Sequence, residues 1–104
     1  MAQFGGPDRD LMDIDDWRKR IDELDSKLVE LLNERTHCAV EIGKLKRLHH
    51  QQLYDPDREA QVIDNVRSVN KGPLQPDALQ RLFERIIDEA RRAARLAMEM
   101  TNDE

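Results

Sequence analysis

From Ile14 the chain repeats an apolar residue every three or four positions, Ile14, Trp17, Ile21, Leu24, Leu28 and Leu31, and then, after a step of seven, Cys38, Ile42 and Leu45. No proline interrupts the run before Pro56. This is the period of one amphipathic helix with coiled-coil-like spacing, opened by Asp13, Asp15 and Asp16. Gly43 weakens it by about 1 kcal/mol relative to alanine. From Ile14 to Lys46 such a helix spans roughly 50 Å at 1.5 Å per residue. A compact globule of 104 residues has a radius of gyration near 13 Å and is only about 35 Å across. The helix therefore outruns anything the rest of the chain can cover, and its stripe predicts a homodimer of intertwined chains.

The remainder predicts two more helices and no strand. A break over His49–Leu53 leads to a helix over 56–69, with Ala60, Ile63 and Val62 or Val66 inward. Asp55 and Pro56 supply its cap and first turn. Turn chemistry in NKGPLQP precedes a third helix from Asp77, whose apolar row is Leu79, Leu82, Phe83, Ile86, Ile87, Ala90, Ala94 and Ala97. The expectation is an all-α fold of one long, one short and one medium helix. Residues 1–12, with Gly5, Gly6 and Pro7, read as a flexible tail before a single domain over 13–104. Trp17 and Phe83 are expected in the core, and Cys38 as a buried, inert thiol.

Composition narrows the function classes. A net charge of −5 argues against nucleic-acid and membrane-surface partners. One cysteine allows no intrachain disulfide and no cysteine-based metal site. No apolar run reaches bilayer length, and the N-terminus has no secretory pattern, so the expected location is the cytoplasm. His49 and His50 have no third ligand at helical spacing, so no metal is expected.

Charges in the wrong places carry the functional signal. With Ile14 at heptad position a, the a positions are Ile14, Ile21, Leu28, Arg35 and Ile42. A guanidinium on that seam needs an anion. Either Glu34, Glu41 or another carboxylate pairs with Arg35, or Arg35 faces a cavity that holds an anionic ligand. Lys46, eleven residues on, returns to within about 20° of the same face, some 16 Å along the axis. The two side chains can converge on one small molecule. Arg18 lies roughly 25 Å from Arg35 on the same rod and reaches such a site only across an antiparallel dimer. In LYDPDREAQVI, Arg58 stands in a first helical turn that disfavours a cation. Asp55 and Asp57 offer a local explanation.

The segments WRKRIDELDSKLVELLNER, AVEIGKLK and YDPDRE, with the later RLFERII, resemble the chorismate mutases of the all-helical class over residues 14 to about 97. The resemblance implies an intertwined dimer that converts chorismate to prephenate without cofactor or metal. It implies that Arg18 binds a substrate carboxylate in the partner's site and that Arg35 clamps the second carboxylate. Lys46 then contacts the ether oxygen and a carboxylate, Asp55 and Glu59 stand at the ring hydroxyl, and Arg58 lines the site. Lys46, Arg35 and Glu59 are the residues expected to carry catalysis. An isochorismate pyruvate-lyase, or a ligand-sensing or dimerisation module, uses the same scaffold as an alternative. The chain departs from the family on the third helix: Ala90 and Ala94 occupy positions where a serine and a glutamine or glutamate are usual. Losing one donor to a developing oxyanion costs about 3–4 kcal/mol. Arg91, an ordered water, or reduced activity dependent on a partner protein are the open readings. Arg91 is otherwise grouped with Arg81, Arg85, Arg92 and Arg95 on a solvated face.

Overall fold

The computed structural model of the protein describes residues 11–102, so most of the expected tail lies outside the described residues. Three helices follow in order: α1 (Ile14–Leu48), α2 (Pro56–Val69) and α3 (Pro76–Asn102). Among the described residues there is no strand. The boundaries follow local chemistry. Asp13 and Asp16 cap α1 reciprocally: the Asp16 amide donates to Asp13 Oδ1 at 2.9 Å, and the Asp13 amide to Asp16 Oδ2 at 3.2 Å. At the other end, the Gln51 amide donates to the Lys46 carbonyl at 2.8 Å. His50 turns the chain away in a left-handed conformation, φ 57°. Asp55 caps α2, its Oδ1 accepting from the Arg58 amide at 3.1 Å. Asn70 builds the next turn, accepting from the Gly72 amide at 3.0 Å and donating to the Leu74 carbonyl at 2.9 Å. α3 begins at Pro76, one residue before the expected Asp77, because proline is accepted in a first turn.

The chain divides between Asn33 and Glu34 into two compact units. The first is the leading stretch of α1. Every residue from Trp17 to Asn33 is exposed, including Ile21, Leu24, Leu28 and Leu31. Trp17, expected in a core, is 41% exposed in the single chain.

The second unit holds the end of α1 with α2 and α3. α2 packs along α3, and Arg67 ties the start of α3 to the end of α2, donating to Asp77 Oδ1 at 3.1 Å and Gln80 Oε1 at 2.8 Å. Arg47 donates to the Met98 carbonyl at 3.2 Å and fixes α1 against the other end of α3. Ala90 and Ala94 are buried, Ala94 at 1% exposure, and Gly43 is buried on α1. A Cβ at Gly43 would stand 3.3 Å from Ala94 Cβ and 3.2 Å from Leu53 Cδ1. The glycine that reads as a helix weakness is what lets the two backbones approach. Phe83, Ile63, Val62 and Val66 are half-buried as expected, whereas Ala60 and Leu82 are exposed. Both occupy faces that the α2–α3 packing leaves open.

Candidate active site

Within the second unit, the facing sides of the three helices enclose an open cavity of about 250 Å³. Arg35 and Lys46 line it from α1, Asp55, Arg58 and Glu59 from the start of α2, and Arg91 from α3. Five of the six residues singled out from the sequence thus share one wall. Ile42, Val62, Ile87, Ala90 and Ala94 form the apolar part. Four cations against two carboxylates leave a formal excess of two positive charges.

The carboxylates are already engaged. Lys46 Nζ donates to the Leu53 carbonyl at 3.3 Å and lies 3.7 Å from Asp55 Oδ2, with only 19% of its side chain exposed. A lysine so restrained lines the cavity with little freedom to lose and with donor capacity to spare. Arg91 Nη2 donates to Glu59 Oε2 at 2.5 Å. Arg58 donates to Gln61 Oε1, and its own amide caps the helix on Asp55. The cation that opens α2 is therefore tolerated because the acidic cap lies beneath it and the cavity in front.

Arg35 has no acid. Among the described residues its side chain makes no hydrogen bond or ion pair, and it is half-buried on the cavity wall. Glu41, one of the acids that could have satisfied it, bonds Lys44 at 3.0 Å instead, and that hydrogen bond holds the Glu41 carboxyl below its usual range. Of the two sequence alternatives, the pairing with Glu41 is not formed, and Arg35 lines the cavity.

Two expectations are corrected. Cys38 is exposed rather than buried and lies on the cavity wall, because the open cavity leaves its face of α1 uncovered. Arg91 leaves the solvated face of α3: its side chain is 23% exposed, its Cζ lies 4.9 Å from the centre of the Tyr54 ring, and Asp88 Oδ1 is 3.3 Å from Nη2. Its signal in the sequence is the one that marked Arg35, an arginine interrupting an apolar row, here Ile87, Ala90 and Ala94. Arg81, Arg85, Arg92 and Arg95 do stay exposed. Arg18 belongs to the first unit, where its side chain is 72% exposed and its Nη1 lies 3.8 Å from Asp15 Oδ1.

Known proteins share the sequence and the fold of this chain. The sequence model of the family described as chorismate mutase type II matches residues 17–95. The bifunctional chorismate mutase/prephenate dehydratase of Pseudomonas aeruginosa is 40% identical over 75 residues, covering 67% of this chain and 20% of that protein. The chain thus spans about a fifth of the length of the bifunctional relatives it matches. The chorismate mutase of Methanocaldococcus jannaschii is 35% identical over 54 residues, 52% of this chain and 54% of that one. Among solved structures, chorismate mutase (Form II) from Thermus thermophilus superimposes with a TM-score of 0.77 at 28% identity, covering 79% of this chain and 93% of that chain. Among the described residues no helix is long and apolar enough to cross a membrane.

Proposed function

The chain belongs to the chorismate mutase type II family, and on that premise we propose that it rearranges chorismate to prephenate, in the cytoplasm, as a homodimer. The observation that carries the proposal is Arg35, a guanidinium without an acid partner among the described residues, on the wall of a cavity with an excess of two positive charges. Chorismate is a dianion with one ring hydroxyl and an enolpyruvyl ether, and the charges match.

The reaction is unimolecular: the ether C–O bond breaks as a C–C bond forms, no proton moves and nothing leaves. No nucleophile or base is needed. The protein has to hold the folded conformer and stabilise the charge that grows on the ether oxygen. Arg35 and Arg58 suit the carboxylates, since a guanidinium grips a carboxylate through two parallel hydrogen bonds. Lys46, oriented by the Leu53 carbonyl and Asp55, stands ready for the ether oxygen and favours the transition state over the bound substrate. Asp55 and Glu59 are acceptors for the ring hydroxyl. The apolar remainder of the wall keeps the dielectric low and strengthens each of these interactions.

The exposed apolar row of the first unit supports the dimer, because contiguous apolar surface of that kind marks a contact with another chain. Arg18, exposed beside it, is the residue that a partner copy would carry into this cavity. The purified chain incubated with chorismate is expected to yield prephenate, and to sediment as a dimer at micromolar concentration. Unchanged chorismate, or turnover only of isochorismate to salicylate and pyruvate, would overturn the activity. A monomer would overturn the assembly.

A further inference from the structure

The wall that α3 gives to the cavity consists of Ile87, Ala90, Arg91 and Ala94. Three of these carry no polar side-chain atom, so every hydrogen bond that α3 can offer a bound molecule comes from Arg91. That guanidinium is held on several sides: Glu59 Oε2 at 2.5 Å, Asp88 Oδ1 at 3.3 Å, and the Tyr54 ring at 4.9 Å from Cζ. Each hydrogen bond uses Nη2. The Nε and Nη1 hydrogens have no acceptor among the described residues, although the side chain is only 23% exposed. A fixed, partly buried cation with donors to spare favours a ligand oxygen.

We infer that Arg91 is a catalytic residue of this chain, the donor that α3 supplies to the ether oxygen of the substrate, and that Glu59 acts as its positioning residue. The inference rests on the mutase reading and deepens it. As the C–O bond lengthens, its electron pair leaves negative charge on an oxygen with lone pairs on more than one side. Lys46 approaches from α1 and Arg91 from α3, so one oxygen receives two charge-assisted hydrogen bonds. Glu59 lowers the cost of keeping the guanidinium half-buried, and the Tyr54 face limits its rotation. The alternative is an ion pair that merely ties α2 to α3.

The two differ in what a substitution moves. Arg91→Ala, Arg91→Lys, Glu59→Gln and the double variant Glu59→Gln/Arg91→Ala, all in the full chain, separate them by kcat, KM and Tm. Arg91→Ala is expected to lower kcat by about 10²-fold with KM changed only severalfold. Arg91→Lys should recover part of the loss. Glu59→Gln, which keeps an acceptor oxygen for the ring hydroxyl, should lower kcat less than Arg91→Ala, and the double variant should be no worse than Arg91→Ala alone. Arg85→Ala, which breaks an exposed pair with Glu89 on α3, should leave kcat unchanged. If Arg91→Ala fails to fold, Arg91→Lys and Glu59→Gln still decide, since both must lower kcat at near-native Tm. A folded Arg91→Ala protein within about threefold of the wild-type kcat, or a change in Tm alone, overturns the inference and leaves the mutase reading standing. A double variant whose losses multiply overturns the positioning role of Glu59. A wild-type chain without turnover overturns the mutase reading, and the inference with it.

Discussion

The two units share one helix and one heptad register, yet they use it for opposite ends. In the leading stretch of α1 the a positions are Ile14, Ile21 and Leu28, and all three are exposed. In the second unit the same seam carries Arg35 and then Ile42, and Arg35 lines a cavity. The first unit offers an exposed apolar row. The second spends its packing on enclosing cations. The contrast teaches that a break in an apolar seam is informative only where other elements of the chain fold over it. There a charge costs most, and persists because something answers it. On a bare stretch the same charge would be one more solvated residue.

The largest effect that tests this division belongs to Lys46. Lys46→Ala removes the restrained cation from the cavity of the second unit. Turnover is expected to fall by about 10²–10³, the usual loss for one donor to a developing oxyanion. Dimerisation and Tm should hold close to wild type. Steady-state kinetics beside sedimentation measures both, and a variant that keeps its kcat would erase the distinction between the units.

A smaller effect is expected from the other side. Arg18→Ala removes an exposed guanidinium of the first unit, and a lost hydrogen bond to a charged group is worth about 1.5–3 kcal/mol. The loss should appear mainly as a raised KM. Because Arg18 is proposed to serve the partner's cavity, mixing the Arg18→Ala and Lys46→Ala proteins should restore activity. Each mixed dimer contains one site with neither defect, so about a quarter of all sites recover after random exchange in a twofold dimer. No recovery on mixing would place Arg18 outside the site and leave the first unit a purely apolar element.

What the sequence made legible follows the same division. The helices came through because their signals are local: the period of α1, the acidic cap before Trp17, the Asp55–Pro56 start and the Asn70–Pro76 turn. Arg35 and Lys46 came through because a long, regular helix fixes their faces over eleven residues. Arg91 was harder. It sits beside Arg92 among exposed arginines, and only the packing of α2 against α3 decides which of two neighbours, about 100° apart, turns toward the cavity. The exposure of Cys38 was hidden for the same reason. Ala90 and Ala94 read as missing donors and remain so, and Ala94 is also the small residue where α3 meets Gly43 of α1.

That close approach supplies the smallest effect and the one with the most telling sign. Gly→Ala inside an exposed helix stabilises by about 1 kcal/mol, because alanine has the higher propensity. At Gly43 the added methyl would meet Ala94 Cβ at 3.3 Å and Leu53 Cδ1 at 3.2 Å. The leucine end can swing aside, but Ala94 is buried on the backbone of a facing helix and can move only with it. Overpacking of this kind costs about 1–3 kcal/mol, so Gly43→Ala should lose up to about 2 kcal/mol once the propensity gain is offset. Thermal unfolding followed by circular dichroism reads the result as a lowered Tm. A raised Tm would mean that α1 and α3 separate freely at this point, and that the cavity wall is softer than its buried alanines imply.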